Sequence, residues 1–227
     1  MKLLGIDTAT EACSVALFGF GDNILESYKL EPRGHSKLVL TMLDGLLSDA
    51  GITLHDLDAI AIDSGPGSFT GIRIGFGIAQ GLSLSLELPL IGVSSLMVLA
   101  EGSGPETIEV LPAIDARMGE VYWGRLSRDR EIDEGWAWRD KASVDQPSFL
   151  PTLRADEIGI GSGWDHYPEL VNSNTLANIE FEAFPRASWL VTIAARIMSY
   201  NKKRPSTVLP DYIRNNVVAK TTLVSDD

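Results

Sequence analysis

The chain has 227 residues, of which 44% are hydrophobic and 22% charged, and a formal net charge of −12. That length allows one large domain or two small ones around a sizeable core, and the acidic balance excludes an ordinary phosphate-backbone binder, which gathers Lys and Arg on one face. The single cysteine, Cys13, excludes an internal disulfide and a cysteine-based zinc site.

Met1-Lys2 leads straight into a short strand over 2–7, without the apolar stretch and cleavage site of an export signal, so the expected location is the cytoplasm. No run is apolar enough to span a membrane, because Arg73 and Gln80 interrupt the best candidate. A turn over 8–12 and a second strand over 13–20 complete an N-terminal hairpin, in which Cys13 reads as a small buried hydrophobe rather than a nucleophile. A third strand follows over 24–30. Pro32-Arg33-Gly34-His35-Ser36 is a loop with Ser36 as a cap, and 37–50 is a helix ended by Gly51. Within it Val39, Leu43, Leu46 and Ala50 form one line, with Leu38 and Met42 on one side and Leu40 and Leu47 on the other. This apolar arc is wider than the ~100° stripe of an ordinary surface helix.

Asp58 to Asp63 alternates as a strand does, Gly65-Pro66-Gly67 breaks it, and Ser68 caps a helix over 69–86. Arg73, Gln80 and Glu87 fall on one narrow stripe of that helix. Ile72, Phe76, Ala79 and Leu86 share one apolar flank; Ile74, Ile78, Leu82 and Leu84 lie on another. A helix apolar nearly all round is covered on two sides, either by its own chain or by a partner. Gly71 and Gly75, and again Gly77 and Gly81, are spaced for close approach of another backbone.

A strand over 89–93 and a Ser94-capped helix to about residue 101 finish a βββαβαβα half. Then an internal echo begins. Leu3-Leu4-Gly5-Ile6-Asp7 returns as Leu111-Pro112-Ala113-Ile114-Asp115, and Asp58-Ala59-Ile60-Ala61-Ile62 with Ser64-Gly65 returns as Asp156-Glu157-Ile158-Gly159-Ile160 with Ser162-Gly163. Two copies of one α/β unit are expected, with a boundary between Gly102 and Glu106. In the second copy, 129–153 and 164–184 resist assignment, and 187–200 is an amphipathic helix with Leu190, Ile193, Ala194 and Ile197 on one face. Lys202-Lys203-Arg204 suits the negative end of that helix, Pro210 to Arg214 reads as a docked segment, and the tail after Lys220 as loose.

Four stretches together carry a family resemblance: Ile6 to Val15, the loop Gly65-Pro66-Gly67-Ser68-Phe69-Thr70-Gly71-Ile72-Arg73-Ile74-Gly75, Gly92-Val93-Ser94-Ser95-Leu96, and Ala113 to Tyr122. With Tyr212-Ile213-Arg214-Asn215-Asn216 near the end, the chain resembles the bacterial TsaB family, also called YeaZ, over almost its whole length. The resemblance implies an α/β fold of the actin-like ATPase (ASKHA) type, two duplicated ribonuclease-H-like lobes with mixed sheets, here 1–103 and a degenerate 104–227. It further implies a non-catalytic part in making threonylcarbamoyladenosine beside the tRNA anticodon, with TsaD, TsaE and TsaC, the last supplying threonylcarbamoyl-adenylate. On that reading the chain forms a homodimer when alone, pairs with TsaD through the helices over 37–50 and 69–86, and meets tRNA only through the complex. The contact residues expected are His35, Val39, Leu43, Leu46, Phe69, Arg73, Phe76 and Gln80.

The residues themselves agree with a subunit that carries no transfer site. TsaD-like proteins place two histidines one helical turn apart to hold a metal, whereas His35, His55 and His166 are scattered. Actin-like ATPases cradle phosphate in an Asp-x-Gly-Thr hairpin; here Asp7-Thr8-Ala9-Thr10 has alanine where glycine serves best, and Glu11 beside it repels phosphate. Asp7, Thr8, Thr10 and Asp115 are therefore read as a vestigial nucleotide loop, with no metal site and no cofactor bound by the chain alone; ATP or ADP and metal enter only through TsaD or TsaE. There is no P-loop and no Gly-x-Ser-x-Gly elbow. The alternative is a stand-alone nucleotide hydrolase or peptidase of the actin-like or glycoprotease superfamily.

Overall fold

The structure, a computed structural model, describes residues 1–21, 23–32, 34–171, 176–200, 208–211 and 213. Strand β1 (Leu3–Asp7) is buried along its whole length, which requires cover on both faces of its sheet. It pairs antiparallel with β2 (Ala12–Phe18), which pairs antiparallel with β3 (Leu25–Leu30). On its other side it runs parallel to β4 (Ala59–Gly65), which runs parallel to β5 (Leu90–Ser94). Helix α1 (His35–Ala50) connects β3 to β4, and α2 (Phe69–Leu86) connects β4 to β5. The strand period of two divides the side chains. Leu4, Ile6, Val15, Leu17, Ile60 and Ile62 pack beneath α1 and α2, while Leu3, Ala16, Ala59 and Ala61 face the opposite way.

The duplicated unit is present. A second sheet is built from β6 (Glu109–Asp115), β7 (Val121–Arg128), β8 (Trp136–Asp145), β9 (Glu157–Ile160) and β10 (Ile179–Glu180). Its order, β8-β7-β6-β9-β10, repeats the first sheet's β3-β2-β1-β4-β5, with β6 antiparallel to β7 and parallel to β9. This matched order of mixed strands, a ribonuclease-H-like unit used twice, is the actin-like ATPase-type fold.

Between the sheets lie α3 (Ser95–Gly102) and α5 (Ala187–Tyr200), which exchange places. Helix α3 follows β5 and, while touching β4 and β5, also packs on β6, β7 and β8; α5 comes from the second lobe and packs on β1 and β2. At Gly5 the backbone of β1 comes so close to α5 that a Cβ would strike Val191. The short helix α4 (Ser162–His166) packs against β6 and β9.

Several local expectations shift. Helix α1 begins at His35 with Gly34 at its N-cap and no side-chain cap, so Ser36 lies inside the helix. Ser68 does cap α2, accepting the Gly71 N–H at 3.2 Å, whereas Ser94 makes no capping bond to α3. The stretch 129–153 contains β8, and 164–184 contains the end of α4 and β10. The docked segment is seen at Asp211, whose N–H donates to the Ser64 carbonyl at 2.7 Å, and at Ile213, packed on the inter-sheet core. Lys202-Lys203-Arg204, Tyr212, Arg214 to Asn216 and the tail after Lys220 lie outside the described residues.

Candidate functional site

Helix α2 presents two unlike faces. Ile72, Phe76 and Ala79 are buried on the sheet, and Gly71 and Gly75 sit where a Cβ would collide with Thr8, so this glycine pair admits the chain's own β1–β2 turn. Around the helix, Gly77 and Gly81 have nothing within 4 Å of where a Cβ would stand. Ile74, Ile78 and Leu82 beside them are half-buried, and Leu84 is 84% exposed. On α1, Gly45 is equally open, with Leu38 and Met42 half-buried and Leu40 exposed.

The residues named from the sequence divide accordingly. Val39, Leu43, Leu46 and Phe76 are buried in the core of their own lobe: the centre of each apolar arc faces the sheet, and the surplus lies to its side. His35 is also buried, its Nε2 2.8 Å from the Thr10 carbonyl oxygen, tying α1 to the β1–β2 turn. Phe69, Arg73 and Gln80 do lie on the outer side of α2, with the Arg73 guanidinium 3.4 Å from the Phe69 ring centroid.

A cleft of about 620 Å³ opens between the lobes, lined by the β1–β2 turn, the start of α2, the β6–β7 turn and the docked segment. The two turns are built alike: Asp7 Oδ1 accepts the Ala9 N–H at 3.1 Å and Asp115 Oδ1 accepts the Arg117 N–H at 2.9 Å. Of the expected nucleotide loop, Thr10 and Asp115 reach the cleft. Asp7 and Thr8 lie beneath it, each 1% exposed, and the Thr8 hydroxyl donates to the Gly71 carbonyl at 2.8 Å. The Ala9 carbonyl accepts the Ser68 N–H at 2.6 Å, so the loop before α2 is pressed onto this turn.

Arg117 and Met118 hold left-handed backbone, φ 62° and 58°, and Arg117 pairs with Glu11 across the cleft and with Asp115 at 3.2 Å. Tyr167 donates to Asp115 at 2.9 Å, and burial first, then that bond, push its phenol up to about 12. Glu11, Asp115 and Asp211 outnumber Arg117 on these walls, which disfavours a phosphate. Ser68 is engaged as a cap, and burial pushes the Cys13 thiol up to about 11, so neither is an activated nucleophile. Among the described residues no three of His, Cys, Asp and Glu gather as a metal site.

The family model described as tRNA N6-adenosine threonylcarbamoyltransferase, TsaD, matches residues 25–142. The tRNA threonylcarbamoyladenosine biosynthesis protein TsaB of Escherichia coli is 41% identical over 229 residues, 97% of each chain. The belonging is therefore decided. The chain is a member of the TsaB family. The Haemophilus influenzae TsaB protein is 37% identical, covering 97% of this chain and 96% of its own. Among solved structures, a Pseudomonas aeruginosa protein described as similar to the peptidase YeaZ superposes with a TM-score of 0.83 at 35% identity, over 94% of this chain and 99% of that one. YeaZ of the same organism gives 0.78 at 34% identity, over 88% and 94%.

In this TsaB-family chain the structure gives prominence to two residues whose role the sequence leaves unexplained. Asp63 lies buried beside Asp7, and Arg117 spans the cleft. The signal for Asp63 was its place at the end of a strand parallel to β1. For Arg117 it was the polar Arg117-Met118-Gly119 turn that echoes 8–12.

Proposed function

We propose that this chain serves threonylcarbamoyladenosine synthesis on tRNA as a subunit without transfer activity of its own, pairing with TsaD through the outer side of α1 and α2. The carrying observation is the bare backbone at Gly45, Gly77 and Gly81, set among the half-buried Leu38, Met42, Ile74, Ile78 and Leu82. Small residues flanked by aliphatic ones let helices approach closely, and a specific seam of this kind covers on the order of 1,600 Å² in total. The match to the TsaD model favours the pairing: a surface built on the same two helices in two related chains accepts either a second copy or the relative. The chain thus forms a homodimer alone and exchanges that copy for TsaD. TsaE joins the pair in the cytoplasm, ATP or ADP and metal enter through TsaD or TsaE, and tRNA is met by the assembly.

The non-catalytic part of the reading is supported by what the reactive side chains already do. His35 is spent on Thr10, and His166 Nδ1 lies 2.9 Å from the Ser162 carbonyl oxygen. The test is Gly81→Glu. Replacing an open helical glycine favours the free helix by up to about 1 kcal/mol, so loss of association cannot be blamed on misfolding. Light scattering of the purified chain with TsaD, and threonylcarbamoyladenosine content in cells relying on the variant, should both show loss. Undiminished pairing would overturn the reading.

A further inference from the structure

Strands β1 and β4 run parallel with Ile6 beside Ile62, so Asp7 and Asp63 come next, side by side, each 1% exposed. Asp7 Oδ1 takes the Ala9 N–H; Asp63 Oδ1 takes the Gly65 N–H at 2.8 Å and the Ser95 hydroxyl at 2.5 Å. The Oδ2 of each is buried with no donor among the described residues. Two ionised carboxylates cannot share such a site, because like charges removed from water each lose their solvation and repel. A single proton between them removes one charge and satisfies both orphaned oxygens.

We propose that Asp7 and Asp63 share one proton, Asp7 donating to Asp63 through the oxygens that have no other donor, and that this proton clamps the floor of the interlobe cleft. Three elements meet at the pair: the β1–β2 turn through Ala9, the loop into α2 through Gly65, and the first turn of α3 through Ser95. When the proton leaves for solvent, repulsion separates the two strand ends and loosens all three together.

The surroundings agree. Burial, then the Asp63 charge, hold the Asp7 carboxyl well above its ordinary value, and burial pushes Asp63 up to about 6 against the bonds from Ser95 and Gly65. From β3, Glu26 adds further negative charge to Asp7 and is itself held by Arg186 at 2.9 Å, and burial raises the Tyr28 phenol. From β2, Ser14 stands opposite Asp7 with its hydroxyl oxygen accepting the Ala187 N–H of α5 at 2.6 Å, while Cys13, on the other face of the sheet, is a neutral thiol. From α2 and α3 the nearest polar partners are the Gly71 carbonyl, bonded to Thr8, and the Ser95 hydroxyl.

The sign follows from linkage. Both folded-state values lie above the unfolded one near 4, so the stability the pair confers is complete below that value and is lost as pH rises. From about pH 6, where Asp63 has ionised, the unfolded chain has released both protons while the folded pair keeps one, and the unfolding constant climbs about tenfold per pH unit until the shared proton goes. Asp7→Asn fixes an amide donor in its place and removes that climb.

Denaturant unfolding of the full chain from pH 6 to 9, beside Asp7→Asn, should give diverging curves, with the variant gaining about tenfold per unit relative to the parent. Carbon-13 spectra of the parent at pH 7 should show one buried aspartate carboxyl in its neutral form, and this resonance decides alone if Asp7→Asn does not fold. Parallel pH curves, or two carboxylate resonances at pH 7, would overturn the proposal. So would stabilisation of the parent at pH 8 by magnesium that Asp7→Asn does not share, since a cation would then stand where the proton is placed.

Discussion

Arg117, at the tip of the β6–β7 turn in the second lobe, is ion-paired with Glu11 on the β1–β2 turn of the first. The two turns are the duplicated parts of the fold, and the pair joins them across the cleft they line. Arg117 is 63% and Glu11 26% exposed, so solvent screens the bond and its worth stays under about 1 kcal/mol. Glu11→Gln should therefore lower stability by less than about 1 kcal/mol and quicken amide exchange at 116–119. That difference should vanish near 1 M salt, where the screening length is about 3 Å. An effect that persists in salt would mean packing, not charge, holds the turns.

Two glycines two residues apart on α2 should respond with opposite sign. At Gly75 a Cβ would meet the Thr8 hydroxyl at 2.5 Å and Ile62 Cδ1 at 3.0 Å, both in the packed interior. Gly75→Ala should cost about 1–3 kcal/mol through overpacking. At Gly77 there is open space, and Gly77→Ala should raise stability by up to about 1 kcal/mol through helix propensity. Chemical denaturation of both variants in parallel checks the pair. Two losses would mean the outer face is already covered.

What the sequence made legible was whatever repeats at short range. The strand period, the Ser68 cap and the bounds of α2 and α5 are local patterns, the echo of the first sheet in the second is a repeat of such patterns, and the structure has them all. The direction in which a doubly apolar helix turns was not legible. Val39, Leu43, Leu46 and Phe76 look the same in sequence whether they face a sheet or a partner, and only the packed sheet decides. Gly71 and Gly75 were indistinguishable from Gly77 and Gly81 for the same reason. The exchange of α3 and α5 between the two sheets is set by contacts far apart along the chain, and β8 was hidden by a polar, tryptophan-bearing stretch whose edge strand alternates weakly.

Leu43 makes the inward turn of α1 measurable. It is 3% exposed among Val39, Leu46 and the aliphatic side chains of β1 and β2. Leu43→Ala should cost about 2–5 kcal/mol, the lost transfer free energy plus the cavity left behind. Association per folded molecule, measured by titration calorimetry well below the new unfolding midpoint, should stay within about threefold of the parent. Loss of association at undiminished stability would return Leu43 to the interface.

The second lobe holds an ion pair of a different kind. Arg125 and Glu157 are 7% and 0% exposed, with Nε and Oε1 2.5 Å apart. Glu157 Oε2 accepts a guanidinium N–H of Arg125 at 3.2 Å and the Arg154 N–H at 2.9 Å, while Arg125 also reaches Asp140 at 3.1 Å. Burying both charges costs several kcal/mol of solvation, which their attraction offsets only while both are present. Glu157→Gln keeps the shape but leaves Arg125 a buried cation with Asp140 as its remaining counter-ion, and Asp140 is 46% exposed. The loss should be about 3–5 kcal/mol. The double change Arg125→Met with Glu157→Leu removes both charges and should recover most of it, because no buried ion is then left unpaired. Urea unfolding of Arg125→Met, Glu157→Leu and the double closes the cycle. A double variant as unstable as the sum of the singles would mean that the network contributes independent hydrogen bonds rather than one coupled pair.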